Sequence, residues 1–483
     1  MLKGMTFERN LIDGEWVPSA TGETLPMISP SDGAEFARIA RGTTVDVDRA
    51  VKAARRAFEG VWGRTPAVER GRLLSRLGLL ILDHAEELVA LEARDTGKPL
   101  KQARNDIQAA ARYFEFYGGA ADKIHGETIP FLSGYQVMIL REPRGITAHI
   151  IPWNYPAQMF GRTLAATLAA GNAAVLKPAE EACLSCLRMA ELAMDVGFPP
   201  GALNVVTGLG EEAGAALAAH AGIDFISFTG SPEVGTLVQR AAAATHIACV
   251  LELGGKSPQI VFDDADQVGA AEATVNAIIQ NAGQTCSAGS RVLIQRSIYE
   301  AFLGELAQRF NRLKVGPHDL DLDCGPLISA RQKQRVETYL KTAAADHIAA
   351  AAAGTIDKRA SPGGFFVRPT LLTLVPETHA IAREEVFGPV LSAIAFDDEQ
   401  DGLRIANGTD FGLVAGVWTE NGGRQMRVAK GVRAGQVFVN GYGAGGGIEL
   451  PFGGFKRSGH GREKGLEALR ELTVAKTVVF NHG

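Results

Sequence analysis

Apolar residues recur at three- and four-residue steps between charges over Val45–Phe58 and Ala67–Arg94, the spacing of helices that bury one face. Asp106–Tyr117 repeats the pattern. From Ile139 the period changes, and short apolar runs alternate with amphipathic stretches. Ile146–Ile151 precedes Gln158–Ala169, Ala173–Leu176 precedes Cys183–Val196, and Leu203–Val206 precedes Glu211–Ala219. Phe225–Phe228 then leads into Pro232–Ala244, and Ala248–Leu251 closes the series. Strand-helix repetition of this kind predicts a parallel sheet with helices on both faces. A second alternating region follows, with strand-like Arg291–Gln295, Val367–Leu374, Val390–Phe396, Gly412–Trp418 and Gly435–Asn440. The expected class is therefore α/β, in two lobes. Leu472–Phe480 and Tyr135–Arg141 are rich in β-branched and apolar residues, and the terminal run is expected to join a sheet edge elsewhere. The alanine-rich Lys341–Gly354 reads as a helix and a loop.

Composition narrows the class without naming a chemistry. A chain of 483 residues with 46% hydrophobic positions can bury two to four cores. A formal net charge of −5 with no basic stripe argues against a nucleic-acid partner. Met1–Asn10 lacks the apolar core of a signal peptide, and Thr163–Leu176 is too short and too broken for a membrane span. Five cysteines, an odd number spread over a long chain, fit reduced thiols and a cytoplasmic location.

One thiol stands apart. Cys286 lies among small residues in Asn281-Ala282-Gly283-Gln284-Thr285-Cys286-Ser287-Ala288-Gly289, where a substrate could reach it. Glu252, in Leu251-Glu252-Leu253-Gly254-Gly255-Lys256-Ser257-Pro258, sits on a glycine-hinged segment of its own. Together they read as a nucleophile and a base. Pro152-Trp153-Asn154-Tyr155-Pro156 follows a strand and holds an asparagine amide between prolines, either an oxyanion donor or simply a rigid turn. Phe228-Thr229-Gly230-Ser231-Pro232 joins a strand to a helix N-terminus, which is a phosphate site or an ordinary capped helix. Lys177 and Glu180 end another strand, where ligands of open α/β sheets bind, and equally describe a surface charge pair. Cys183 and Cys186 form a C-x-x-C that belongs to a packed helix, the histidines are scattered singly, and no metal is expected.

These motifs, with Glu384–Val390 and Pro451–Lys456, stand in an order and spacing that resembles the aldehyde dehydrogenase superfamily over essentially the whole chain. The resemblance implies the NAD-dependent, hydrolytic branch. It implies a Rossmann-like cofactor domain (1–122 and 142–251), an α/β catalytic domain (252–465) and a small β oligomerisation element (123–141 and 466–483). Cys286 would attack an aldehyde, Asn154 would hold the oxyanion, and Glu252 would activate the water that hydrolyses a thioester. For the cofactor, Lys177 and Glu180 match the adenosine-ribose positions, Ser231 the pyrophosphate contact, and Glu385 and Phe387 the nicotinamide end. Gly208 and Gly230 match close main-chain approaches, and Ile151, Pro152, Trp153, Phe228 and Leu253 complete the expected set. A carboxylate at 180 favours NAD over NADP. The coenzyme-A-acylating branch lacks a glutamate base, and structural relatives that have lost catalysis can lose both groups, so Glu252 and Cys286 argue for hydrolysis. A homodimer or homotetramer is implied.

The expected substrate wall is Tyr155, Met159, Arg162, Thr285, Ser287 and Phe452. Arg162 resembles the carboxylate anchor of succinate-semialdehyde enzymes, whose second arginine is here Gln280; it could equally pair with a nearby glutamate. Four glycines in Tyr442–Glu449 predict a roomy rim. A medium-sized or aromatic aldehyde is expected, with an anionic semialdehyde as the alternative.

Overall fold

The computed structural model describes residues 7–443 and 447–483. Ala444, Gly445 and Gly446 of the glycine-rich rim, and most of the N-terminal segment read for a leader, lie outside the described residues.

Eight strands form the first sheet, in the order Glu15–Val17, Asn10–Ile12, Leu203–Val205, Ala173–Lys177, Ile146–Ile150, Phe225–Thr229, Ala248–Glu252 and Gly459–His460. The five from Leu203–Val205 to Ala248–Glu252 run parallel, flanked by antiparallel edges. Ile146–Ile150 comes first in the chain among the parallel strands. Its successors go to one side as far as Leu203–Val205, then cross to the other at Phe225–Thr229. The switch point therefore lies between Ile146–Ile150 and Phe225–Thr229, and the crevice beyond their carboxyl ends is where such sheets bind ligands.

The second sheet has seven strands: Ala350–Ala353, Thr370–Leu372, Val390–Phe396, Arg291–Gln295, Pro258–Val261, Val414–Trp418 and Gln436–Val439. All are parallel but the first. Each sheet has its own apolar core. Thr473–Asn481 pairs antiparallel with Tyr135–Pro143 over nine positions, which carries Glu127–Ile129 on its other edge. The terminal strand thus finds its partner within this chain, while Leu140, Val474, Val479 and Phe480 stay exposed.

Three expectations change. Ala67–Arg94 is two helices, Ala67–Asp83 and Ala85–Thr96, meeting at His84. Gly412–Trp418 splits: Phe411–Gly412 pairs with Phe455–Lys456 and only Val414–Trp418 joins the sheet. Past the helix Ala330–Ala345, the alanine-rich tract ends in the strand Ala350–Ala353, because pairing with Thr370–Leu372 outweighs alanine's helical preference.

The helix Pro156–Ala170 matters most for the site. Every residue in it but Gln158 is buried. Proline at its first position and Gly171 in the left-handed region at its end (φ +91°) fix its limits. Arg162 is thus a cation inside a buried helix, which requires a counter-charge.

Candidate active site

A cavity of about 1040 Å³ opens at the switch point and runs between the two sheets. Pro152–Tyr155 enter it from the end of Ile146–Ile150, Thr229–Ser231 from the end of Phe225–Thr229, and Glu252 from the last position of Ala248–Glu252. Cys286 reaches it from the turn before Arg291–Gln295.

The nucleophile's turn is unusual backbone. Asn281, Ala282 and Gly283 adopt successive positive φ of 48°, 53° and 74°, conformations that cost energy in non-glycine residues and cluster at functional sites. Bonds from both strands hold it. Asn281 Nδ2 donates to the Asn154 carbonyl (2.9 Å), Gln284 Nε2 to Asn281 O (3.0 Å), and Asn154 Nδ2 to Gln284 O (2.9 Å). An amide has two N–H bonds, so this last bond leaves Asn154 one for an oxyanion. Tyr155 and Thr285 hydroxyls meet at 2.6 Å, and Tyr442 donates to the Ser287 carbonyl at 2.6 Å. Gly255 is glycine for a reason: a Cβ there would lie 2.3 Å from the Cys286 carbonyl oxygen. Burial pushes the Cys286 thiol up to about 12, with Arg162 pulling the other way.

Glu252 is 2% exposed, yet neither carboxylate oxygen has a hydrogen-bond partner. Buried polar atoms are rarely left so, and these line the same cavity as Cys286. Burial raises Glu252 to about 8, against the pull of Arg162. Arg162 Nη2 stands 3.7 Å from Glu252 Oε2, while its Nε lies 2.5 Å from Glu463 Oε2, an ion pair without hydrogen-bond angles. Burial works against the Arg162 charge, but Glu463 and Glu252 outweigh it and hold the guanidinium above its ordinary value. Ser227 Oγ donates to the other Glu463 oxygen at 2.7 Å. Phe452 carries two cations, with Arg162 4.5 Å and Lys464 5.5 Å from its ring centroid. Burial, then Arg162, push Lys464 down to about 7.

The opposite end of the cavity suits a dinucleotide. Ser231 caps the helix Pro232–Thr245, accepting from Val234 N at 3.3 Å, and Ser231, Pro232 and Glu233 at that helix start line the crevice. Glu385 accepts from Gly255 N at 2.9 Å with one oxygen and keeps the other, and burial raises it to about 7. A Cβ at Gly254 would sit 2.4 Å from that carboxylate. Phe387 has a positive φ of 57° and meets Trp153 edge-on at 5.4 Å. Gln332 and Arg335 brace its loop, donating to the carbonyls of Phe387 (2.7 Å) and Glu385 (2.6 Å).

Most of the expected residues meet in this one cavity: Asn154, Glu252 and Cys286; Pro152, Trp153, Gly230, Ser231, Leu253, Glu385 and Phe387; and the whole substrate set, Tyr155, Met159, Arg162, Thr285, Ser287 and Phe452. Five do not line it. Lys177 and Glu180 pair at 2.6 Å beside the one-turn π-helix Gly210–Gly214, whose Gly210 N donates to Glu180 at 3.2 Å. Ile151 and Phe228 pack their side chains with the first sheet, and the Phe228 ring lies under Gly230. Gly208 is glycine because its own chain crowds it, with Gly42 O 2.8 Å from where a Cβ would stand. Cys183 and Cys186 are buried as expected. Glu463, Lys464 and Lys98 went unread; the only signal was charge in the glycine-flanked Gly461-Arg462-Glu463-Lys464-Gly465.

Fold and site together define an NAD-linked dehydrogenase of aldehydes. The aldehyde dehydrogenase family model matches residues 16–478, and the chain belongs to that family. It is similar to a Burkholderia cenocepacia structure assigned to the family, at 61% identity and TM-score 0.98, covering 98% of this chain and 100% of that one. Betaine aldehyde dehydrogenase from Staphylococcus aureus, solved with NAD+, is 37% identical with TM-score 0.96, covering 100% and 96%. A mitochondrial aldehyde dehydrogenase family 2 member of Arabidopsis thaliana is 42% identical over 97% of this chain and 87% of its own length. The protein is an NAD-dependent enzyme that oxidises aldehydes. Among the described residues no helix is long and apolar enough to cross a membrane.

Proposed function

We propose that the enzyme converts a medium-sized or aromatic aldehyde to its acid through a thioester on Cys286, with Glu252 as the hydrolytic base. The carrying observation is Glu252 itself, a buried carboxylate with neither oxygen hydrogen-bonded, on the cavity that Cys286 shares. Cys286 Sγ, having released its proton to solvent, adds to the carbonyl carbon as the thiolate. Charge on the substrate oxygen is met by the second Asn154 N–H, an interaction whose loss usually costs about 10²–10³ in rate. NAD, when bound, accepts the hydride. Glu252 then takes a proton from water, the oxygen adds to the thioester carbon, the C–S bond breaks and the acid leaves. Ser231, Glu385 and Phe387, with Lys177 and Glu180, are the residues that would hold the cofactor.

The substrate class rests on Tyr155, Phe438, Tyr442 and Phe452 in the cavity wall, and on Arg162 being committed to Glu463 and Glu252. Lys464 on the same wall favours an anionic semialdehyde as the second reading. The enzyme is further proposed to be cytoplasmic and to assemble as a homodimer or homotetramer through its three-stranded sheet, whose exposed apolar edge would invite aggregation in a monomer. The division 1–122 with 142–251, 252–465, and 123–141 with 466–483 is proposed to stand as its domains, apart from Gly459–His460, which return to the first sheet.

Glu252→Gln tests the mechanism. Steady-state kcat should fall about 10²–10⁴-fold, while NADH formed in a single turnover changes far less. Equal loss in both would remove Glu252 as the hydrolytic base. On substrates, kcat/KM for benzaldehyde and hexanal should exceed that for succinate semialdehyde by about tenfold, the equivalent of about 1.4 kcal/mol; the reverse order selects the anionic reading.

A further inference from the structure

Lys98 stands between the helices Ala85–Thr96 and Leu100–Ala120, just after Gly97 turns the chain through the left-handed region (φ +79°). Its side chain is wholly buried, and no step above uses it. All three ammonium N–H bonds are taken: by Asp106 Oδ2 at 2.6 Å, Glu92 Oε1 at 3.1 Å, and the main-chain oxygen of Asn154 at 2.9 Å. Burial opposes its charge, but Asp106 and Glu92 outweigh that and keep it protonated.

The two carboxylates are anchored in turn. Glu92 Oε2 accepts from Ser185 Oγ (2.6 Å) and Ala157 N (3.3 Å), and Asp106 Oδ1 from Gln158 Nε2 (3.2 Å). The ammonium is therefore braced against the start of the helix that follows Asn154. It also lies 4.4 Å from the centroid of Tyr155, whose hydroxyl meets Thr285 beside the nucleophile. From the nucleophile's side Asn281 Nδ2 donates to the same Asn154 carbonyl, and Asn281 N donates to Gln102 Oε1 of the helix Leu100–Ala120 at 2.9 Å.

Residues 152–155 belong to no strand or helix, so no ladder orients the Asn154 peptide. What orients it is the pair of donors on its carbonyl. A buried lysine with two acids is a costly way to hold structure alone, since apolar side chains of similar volume often do as well or better. We infer that Lys98, together with Asn281, is a positioning residue for the oxyanion donor, fixing the Asn154 main chain so that its side-chain amide points at the substrate oxygen. This rests on Asn154 being that donor, as proposed above.

A double-mutant cycle on the full-length enzyme, assayed with NAD and hexanal, separates the two claims. Asn154→Ala should lower kcat about 10²–10³-fold; an unchanged kcat would overturn the donor assignment itself. Lys98→Met should lower kcat about 10²-fold, the usual cost of displacing a catalytic group by an ångström, and leave the KM for NAD within about twofold. In the Asn154→Ala background, Lys98→Met should change kcat by less than about twofold, because there is no amide left to aim. The same factor in both backgrounds would mean a purely structural lysine and overturn the positioning role while leaving Asn154 intact.

Lys98→Met leaves two acids buried without a cation, so Lys98→Met/Glu92→Gln/Asp106→Asn, which removes all three charges at nearly constant shape, is run in the same cycle. Asn281→Ala removes the other donor without touching a charge and must show the same non-additivity with Asn154→Ala. Should neither lysine variant fold, that second cycle decides, and additivity in it overturns the inference.

Discussion

Two ion pairs close at nearly the same distance in this molecule and differ in what surrounds them. Lys177–Glu180 closes at 2.6 Å with the Glu180 side chain 26% exposed, and Arg162–Glu463 closes at 2.5 Å with both side chains 8% exposed. In the first, burial opposes the Glu180 charge, but Lys177 outweighs it and holds the carboxylate below its ordinary range. Its lysine can exchange partners with a ribose hydroxyl at little cost, because water reaches the glutamate that is left. In the second, a released Arg162 would leave Glu463 and Glu252 in a dry interior, where an unpaired charge is expensive. Whether solvent can stand in for a departing partner thus separates an ion pair that is free to exchange from one that is fixed.

The strongest way to break this comparison is to remove Arg162. Arg162→Met should destabilise the enzyme by about 3–5 kcal/mol, the usual effect of orphaning a buried counter-charge, seen as a large drop in the thermal-inactivation midpoint. Its effect on kcat/KM should be uniform across hexanal, benzaldehyde and succinate semialdehyde. A loss confined to succinate semialdehyde would make Arg162 an anion anchor after all. Arg162→Lys keeps the charge but not the planar fork, and should recover much of the stability.

A second test reads the same cluster through pH. Glu252 accepts a proton only when ionised, and burial has raised it to about 8. Below that value the rate of thioester hydrolysis should climb with pH, about tenfold per unit, and level off above it. Arg162 pulls Glu252 down, so losing the guanidinium should move the midpoint to higher pH, and Glu252→Gln should abolish the limb. Lys464, pushed down to about 7 mainly by burial, gives up its charge over the same range, and the observed midpoint belongs to the coupled groups. A flat profile between pH 6 and 9 would place the base elsewhere.

Which parts were legible in the chain follows from the range of the forces involved. Alternating runs gave the parallel strands of both sheets except Pro258–Val261, because most of these strands are buried on both faces and their apolar runs are local. The break at His84 left no mark: no proline or glycine stands there, and the apolar spacing continues through it. Cys286, Glu252 and Asn154 were legible because glycines, prolines and small residues surround chemistry-bearing side chains. Lys98 and Glu463 were not. Lys98 reaches Asn154 across 56 positions and Arg162 reaches Glu463 across about 300, and no local pattern marks which charge will be buried against which.

The smallest expected effect lies at the partly open Glu180 and probes the other half of the comparison. If Glu180 selects NAD, it does so by accepting from a 2′-hydroxyl and repelling a 2′-phosphate. Glu180→Gln keeps the acceptor oxygen and removes the charge. Hydrogen bonds to charged groups exceed neutral ones by about 1 kcal/mol, so kcat/KM for NAD should fall only about fivefold. The value for NADP should rise by a similar factor, narrowing the preference without reversing it. Because water reaches this carboxylate, the change should shrink as ionic strength rises past about 0.5 M, where the screening length is only a few ångströms. The Arg162 effects should persist in the same buffer. A Glu180→Gln change as salt-resistant as that of Arg162→Met would show that exposure does not separate the two pairs, and the distinction drawn between them would fall.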